Sequence, residues 1–307
     1  MRVSYWRLSL VTLMAEKLYV DTSKRASAET YDEASDIYDT YEGLFFPYLF
    51  GRIRELIDKD FMPSLPKGAK VLDIGCGTGQ QTMLFRKNGF DVLGIDISHG
   101  LVCVANKKLG ENLCMVSDAG KLPFKDATFD AVSSAGSTVN HVPDYQCFFD
   151  EMCRVLKPGG KIFLESDNKW SPDMLWCLAS TLTGDPLGYH GTVSEAIGYF
   201  KRPIHEGYPY VFPLHFDDEK VRLLNLRTFT YHELQDQLSR GGCTIKKVYS
   251  VHSITNLIPS TVMQKDKPGR ITRGIFSILR PIEDSLYRFW PFNHVGISII
   301  VLADKKP

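Results

Sequence analysis

The sequence predicts an α/β fold, a doubly wound and mostly parallel sheet that carries an inserted cap. Three observations lead there. From Lys70 onward, apolar strand-like runs alternate with amphipathic helical stretches. Each helical stretch is short enough to be a right-handed crossover between parallel strands. Turn glycines and carboxylates collect where the first three strands end, which is where such a sheet opens a binding crevice.

Taken in order, VLDI, a helix after Gly79, DVLGIDI, a helix over 101–109 and NLCMVSDA spell βαβαβ. FDAVSSAG follows as a strand. A helix over about 144–156 comes next, capped by Asp144 and presenting Phe148, Phe149, Met152, Val155 and Leu156 on its apolar side. Pro158, Gly159 and Gly160 are read as the turn that stops it before the strand KIFLES. Thr230 and Glu233 form a capping-box pattern ahead of Leu234 and Leu238, and Gly241 with Gly242 closes that helix. CTIKKVYSV and GISIIVLADKK complete seven strands, separated by a long connection rather than a tight hairpin.

Residues 1–65 are read as an N-terminal extension and helical lid, and residues 66–307 as the main domain. Two stretches interrupt the alternation, at about 167–227 and about 252–295. The first includes Trp170, Trp176, Tyr189, Tyr199, Phe200, Tyr208 and Tyr210, too aromatic to stay solvated, and is expected to fold as a cap. The second holds Ile271, Ile275, Ile278, Leu279, Ile282, Leu286 and Trp290 at helical spacing among Arg273, Arg280 and Arg288. Such a helix either packs on the body or lies on a lipid surface, and Glu283 and Asp284 interrupt its basic face.

Composition narrows the classes. The 307 residues carry 36 basic and 36 acidic side chains, so nothing in the charge balance calls for a nucleic acid partner. Seven scattered cysteines without a CxxC pair argue against a zinc or redox site and for a reducing cytoplasm. No metal is expected. There is no apolar run of about 18 residues, the length a spanning helix needs. Within the start MRVSYWRLSLVTLMAEK, residues 1–13 are read as an upstream extension, with Met14 as the natural first residue.

The chemistry concentrates in three strand ends. VLDIGCGTGQ puts Asp73 at the end of the first strand, then Gly75, Gly77 and Gly79 in a turn leading into a helix, where glycines let a ligand approach the backbone. Gln80 stands where a nicotinamide dinucleotide fingerprint would need glycine or alanine. A carboxylate beside the loop also suits a ligand amine better than a pyrophosphate. Asp96, followed by Ile97, closes the second strand at the distance where an acid meets a ribose diol. Asp118 can accept a bond from an adenine amine while Ala119 offers its backbone amide.

DIGCGTG, then DAGKLPFKDATFDAV, then RVLKPGG together resemble the class I S-adenosylmethionine-dependent methyltransferases, specifically the branch of small-molecule enzymes of ubiquinone and menaquinone type. The resemblance runs from about residue 31 to 165 and resumes at the final strands. It implies a Rossmann-like seven-stranded sheet and S-adenosylmethionine as cofactor. By the same resemblance, the loop of Asp73, Gly75, Gly77, Gly79 and Gln80 wraps the methionine moiety. The Asp96 and Ile97 positions hold ribose, Asp118 and Ala119 read adenine, and Ala135 borders the site. Segments like that of Tyr31, Tyr38 and Tyr41 fold over the cofactor, with Tyr38 the favoured contact. Asn140 and His141 fall where relatives border the transferred methyl group. Asn140 is read as a substrate contact, and His141 as a packing residue, a substrate ligand or a general base. The cap histidines His190, His205 and His215 are lesser candidates.

A sulfonium methyl is already activated, so the protein mainly has to align an acceptor and exclude water. The expected function is methyl transfer to a small molecule such as a quinone, phenol or lipid-like metabolite. N-methylation of a small amine and cofactor binding without turnover are the alternatives. The sequence leaves the oligomeric state open.

Overall fold

The computed structural model describes residues 24–35, 38–39, 42–189, 192–215 and 221–307. Met14, Tyr41 and His190 lie outside the described residues. The sheet is built from β1 (Lys70–Ile74), β2 (Asp91–Asp96), β3 (Cys114–Val116), β4 (Phe129–Ser134), β5 (Leu156–Asp167), β8 (Cys243–Val251) and β9 (Ser298–Lys305). Its order is β3-β2-β1-β4-β5-β9-β8. The first five strands are parallel, and β9 runs antiparallel between β5 and β8. The chain steps outward from β1 in both directions, so the crevice at the carboxyl ends of β1 and β4 is the topological switch point.

Side chains on a strand alternate between faces, and the two cores follow from that. Val71, Ala131, Phe163, Ile300 and Leu302 pack on one face with Phe45, Leu49 and Ile53 of α2 (Phe45–Leu56) and Phe85 of α3 (Gln80–Lys87). Their neighbours Leu72, Val132, Leu164, Ile299 and Val301 pack on the other, against Phe148, Phe149 and Met152 of α5 (Tyr145–Val155) and Leu234 and Leu238 of α8 (Tyr231–Arg240). Both expected caps form: Asp144 accepts from Cys147 N and Thr230 from Glu233 N. The capping box is one-sided, because the Glu233 carboxylate turns to Gly207 N and Arg227. KPGG also differs from expectation. It lies inside β5, where the pairing with β4 shifts register between Phe129 and Ala131.

Between β5 and α8 the chain forms α6 (Asp173–Leu182), α7 (Val193–Lys201) and an antiparallel pair, β6 (Pro209–His215) and β7 (Val221–Arg227). Lys169 fastens this stretch: fully buried, it donates to the carbonyls of Pro203 (2.8 Å) and Glu206 (2.7 Å). α1 (Lys24–Ala34) meets the body at α4 (His99–Leu109) and β7.

The second insertion holds α9 (Ser260–Met263) and α10 (Arg270–Leu286). Glu283 of α10 is fully buried, where its carboxylate accepts from His252 N (2.6 Å), Ile254 N (3.1 Å), Thr255 N (2.8 Å) and Thr255 Oγ1 (2.7 Å). Asp284 accepts from Tyr48 Oη and pairs with Arg52. Glu283 therefore turns inward with Phe276, while Asp284 also pairs with the exposed Arg280 (3.6 Å) and interrupts the basic face as the sequence suggested; the isoleucines point outward. Glu283→Ala should lower stability by about 3 kcal/mol, since four donors lose their acceptor. Ile278→Ser, at an exposed position, should change it by less than about 0.5 kcal/mol. Urea unfolding of the two variants is the check, and equal losses would contradict this orientation of the helix.

Candidate functional site

At the switch point lies a crevice whose lining includes Tyr31, Tyr38, Gly75, Gly77, Asp96, Ile97, Asp118, Ala119, Thr138 and His141. The ends of four strands, β1 to β4, and α1 supply its walls.

The loop after β1 is shaped by what touches it. Gly75 has φ +73°, and a Cβ there would collide with the Thr138 side chain. Gly77 has φ +53° and donates its N–H to Asp96 Oδ2 at 2.9 Å. Ser98 N donates to Asp96 Oδ1, also at 2.9 Å, so the carboxylate ties the glycine loop to the start of α4. Burial raises the Asp96 pKa and the nearby Asp32 charge adds to that, while the N–H groups of Ser98, Gly77 and Ile97 pull it down. An ionised carboxylate has about four acceptor positions. The carboxylate thus keeps acceptor capacity for a ribose hydroxyl beside its N–H bonds. Asp118 accepts from Gly120 N (2.8 Å) and from Lys24 Nζ of α1 (2.6 Å).

His141 forms the opposite wall from a 3₁₀ turn, Thr138–His141. Its Nε2 lies 3.1 Å from Tyr31 Oη, and Tyr31 in turn meets Tyr38 edge to face at 5.9 Å. Its Nδ1 is buried without a partner among the described residues. Burial holds the imidazole pKa down at about 4, so the ring is neutral at physiological pH.

Several expected contacts do not reach the crevice wall. Asp73 is 1 % exposed and accepts from Thr82 Oγ1 at 2.6 Å. Burial pushes its carboxyl up to about 7, with Thr82 opposing and Asp96 adding to the rise. It braces the loop from below. Gly79 caps α3 against Ala105, and Gln80 points away to Asp39. Ala135 is buried beneath the crevice. Asn140 is a staple: its amide donates to Arg227 O (2.6 Å) and Ser166 Oγ (3.1 Å) and accepts from Asp167 N (3.1 Å), leaving nothing for a substrate. His205 packs on the His232 ring.

Other residues matter that the sequence did not single out. Asp32 of α1 accepts from Ser98 Oγ (2.6 Å) and Gly100 N (2.8 Å), docking α1 on the N-terminus of α4. Behind the His141 turn, Asp167 accepts from Ser137 Oγ (2.7 Å) and Tyr210 Oη (2.8 Å), and Glu165 accepts from Ser137 N (2.7 Å). Burial, reinforced by the Asp167 charge, pushes Glu165 up to about 7. Tyr31 was in view as one of three tyrosines, but nothing in the spacing distinguished it from Tyr38. Among the described residues, no cluster of His, Cys, Asp and Glu is arranged to hold a metal ion.

Residues 72–164 match the methyltransferase-domain family. The chain is 41% identical over 115 residues to the demethylmenaquinone methyltransferase of Staphylococcus aureus strain MRSA252, covering 36% of this chain and 46% of that protein. It is 34% identical over 134 residues to the enzyme of the same name from Bacillus licheniformis, covering 41% and 57%. It thus spans about half the length of these relatives. The solved [4+2]-cyclase SpnF superposes with a TM-score of 0.56 at 19% identity, covering 92% of this chain and 97% of that one. At that identity the likeness carries the fold and no reaction.

The residues fit S-adenosylmethionine, the methyl donor of such a domain. Gly75 and Gly77 present bare backbone to the crevice, and Asp96 and Asp118 retain acceptor capacity. Gly75→Ala should abolish or strongly weaken donor binding, measured by calorimetry, because Thr138 and the left-handed backbone both resist a Cβ. Undiminished affinity would contradict the loop geometry.

The neutral burial of His141 gives a second expectation. Between about pH 6.5 and pH 4 the unfolded chain binds a proton at this ring that the folded chain does not. The stability contributed by His141 is therefore full above pH 6.5 and is lost as the pH falls toward 4. In urea unfolding, His141→Asn should gain on the unmodified protein between pH 7 and pH 5. A gap independent of pH would mean that the imidazole is not buried neutral.

Proposed function

We propose that the protein transfers a methyl group from S-adenosylmethionine to a small apolar acceptor with a ring, of the quinone type. The observation that carries this reading is one crevice joining two halves: a glycine loop with Asp96 and Asp118 for a nucleoside, and His141 with Tyr31 and Tyr38 for a ring. The names of the matched relatives, demethylmenaquinone methyltransferases, support the acceptor class. The seven free cysteines support a cytoplasmic setting.

When bound, S-adenosylmethionine supplies a methyl carbon activated by the adjacent sulfonium charge. The chain's own residues have simpler work. Asp96 accepts a ribose hydroxyl, and its bonds to Gly77 N and Ser98 N hold it in place for that. Asp118 accepts the adenine amine once Lys24 yields its place. Tyr31 and Tyr38 form an apolar lid that excludes water and aligns the acceptor, the largest contribution this chemistry requires. His141, neutral, acts through Nε2, which holds the Tyr31 hydroxyl at the crevice wall so that the pair orients the acceptor. With a pKa of about 4, the imidazole is a weak proton acceptor and a good orienting group.

Asp96→Ala should weaken donor binding by about 1 to 3 kcal/mol. Unchanged affinity by calorimetry would remove Asp96 from the site. Labelled S-adenosylmethionine incubated with the protein and a cell extract should leave its label in a lipid-soluble, ring-containing fraction. His141→Ala should slow that transfer at saturating donor while leaving donor affinity intact. Label in a water-soluble amine would instead favour N-methylation, and donor binding without transfer would overturn the reading.

A further inference from the structure

Four isoleucines of α10, Ile271, Ile275, Ile278 and Ile282, are 79%, 44%, 66% and 44% exposed. Their spacing of four, three and four residues puts them in one row along about three turns. Phe289 and Trp290, which follow the helix closely, are 62% and 79% exposed. Loose packing does not account for this row. The opposite side of the helix is anchored by Phe276 and by Glu283 with its four hydrogen bonds, so the isoleucines are held outward. Lys267, Arg270 and Arg273 around the start of the helix are exposed. Arg270 and Arg273 have no carboxylate partner among the described residues.

We propose that α10 seats the protein on an anionic lipid bilayer, with the isoleucine row in the boundary between headgroups and acyl chains and the basic residues on the lipid phosphates. An exposed apolar row on a helix whose first turn carries unpaired cations, followed by an exposed Trp and Phe, is the chemistry of an interfacial helix. The charge argues against the other occupants. A second copy would bring one basic rim against another. Residues 1–23 carry Arg2, Arg7 and Lys17 against Glu16 and Asp21, a poor complement to a basic surface. The proposal does not depend on the reaction or on the acceptor.

The test is co-sedimentation of the full chain with vesicles of phosphatidylcholine alone and of phosphatidylcholine mixed with phosphatidylglycerol. Binding should be strong to the mixed vesicles, weak to the neutral ones and reversed by salt. The double variant I271Q/I278Q should bind the mixed vesicles about tenfold more weakly or worse. R270Q/R273Q should lose most of the preference for the anionic lipid. Both should keep the melting temperature and donor affinity of the unmodified protein, since none of the four side chains is buried. Failure to bind mixed vesicles, or undiminished binding by the isoleucine variant, overturns the proposal. So does a dimer in sedimentation velocity that the isoleucine substitutions dissociate, which would assign the row to a second copy.

Discussion

The carboxylate of Asp96 is a hub on which the crevice depends. It stands at the end of β2, yet its two oxygens reach the loop after β1 through Gly77 N and the head of α4 through Ser98 N. It works beside Ile95 O, which accepts from Gly75 N (2.8 Å) and Cys76 N (2.9 Å), so that β2 holds the turn at Gly75 and Gly77 from both backbone and side chain. Ser98 passes the connection on, because its hydroxyl donates to Asp32 of α1. One chain of hydrogen bonds therefore runs from the cofactor loop to the helix above it. The position of Tyr31 over His141 follows from that docking.

A second set of buried carboxylates supports both sides of the crevice. Asp73 lies under the glycine loop, and Glu165 and Asp167 lie under the turn that carries His141. Such groups are expensive to bury, and each is met by hydroxyl or N–H donors, as a polar group out of water must be. Tyr210 of β6 closes on Asp167, so the inserted cap is joined to the same support. The site is thus braced from the sheet, the lid and the cap, which suits chemistry that relies mainly on alignment.

The repeating core was plain in the sequence, because strand and helix periods differ and the buried positions of β1 to β5 form near-continuous apolar runs. Asp96, Asp118 and the glycines were legible for the same reason: strand ends of a doubly wound sheet are where ligands gather. What stayed hidden depends on tertiary direction. Asn140 sits next to His141 in sequence, but its amide is consumed by Arg227, Ser166 and Asp167, three partners from distant segments. Tyr31 and Tyr38 are equivalent as text, and only the docking of α1 puts the first on the imidazole. α10 is the clearest case. Its amphipathic period was evident, but period alone does not say which face is inward, and the buried Glu283 reverses the usual assignment. KPGG looked like a plain turn because a bulge inside a strand uses the same residues.

The most direct measurement of the central claim is a crystal structure of the full chain grown with S-adenosylmethionine. The account expects the ligand across the carboxyl ends of β1, β2 and β3, a ribose hydroxyl on Asp96, its adenine beside Asp118 and its methyl group facing the wall formed by His141 and Tyr31. A crevice left empty at saturating ligand, or a ligand bound elsewhere on the chain, would contradict it.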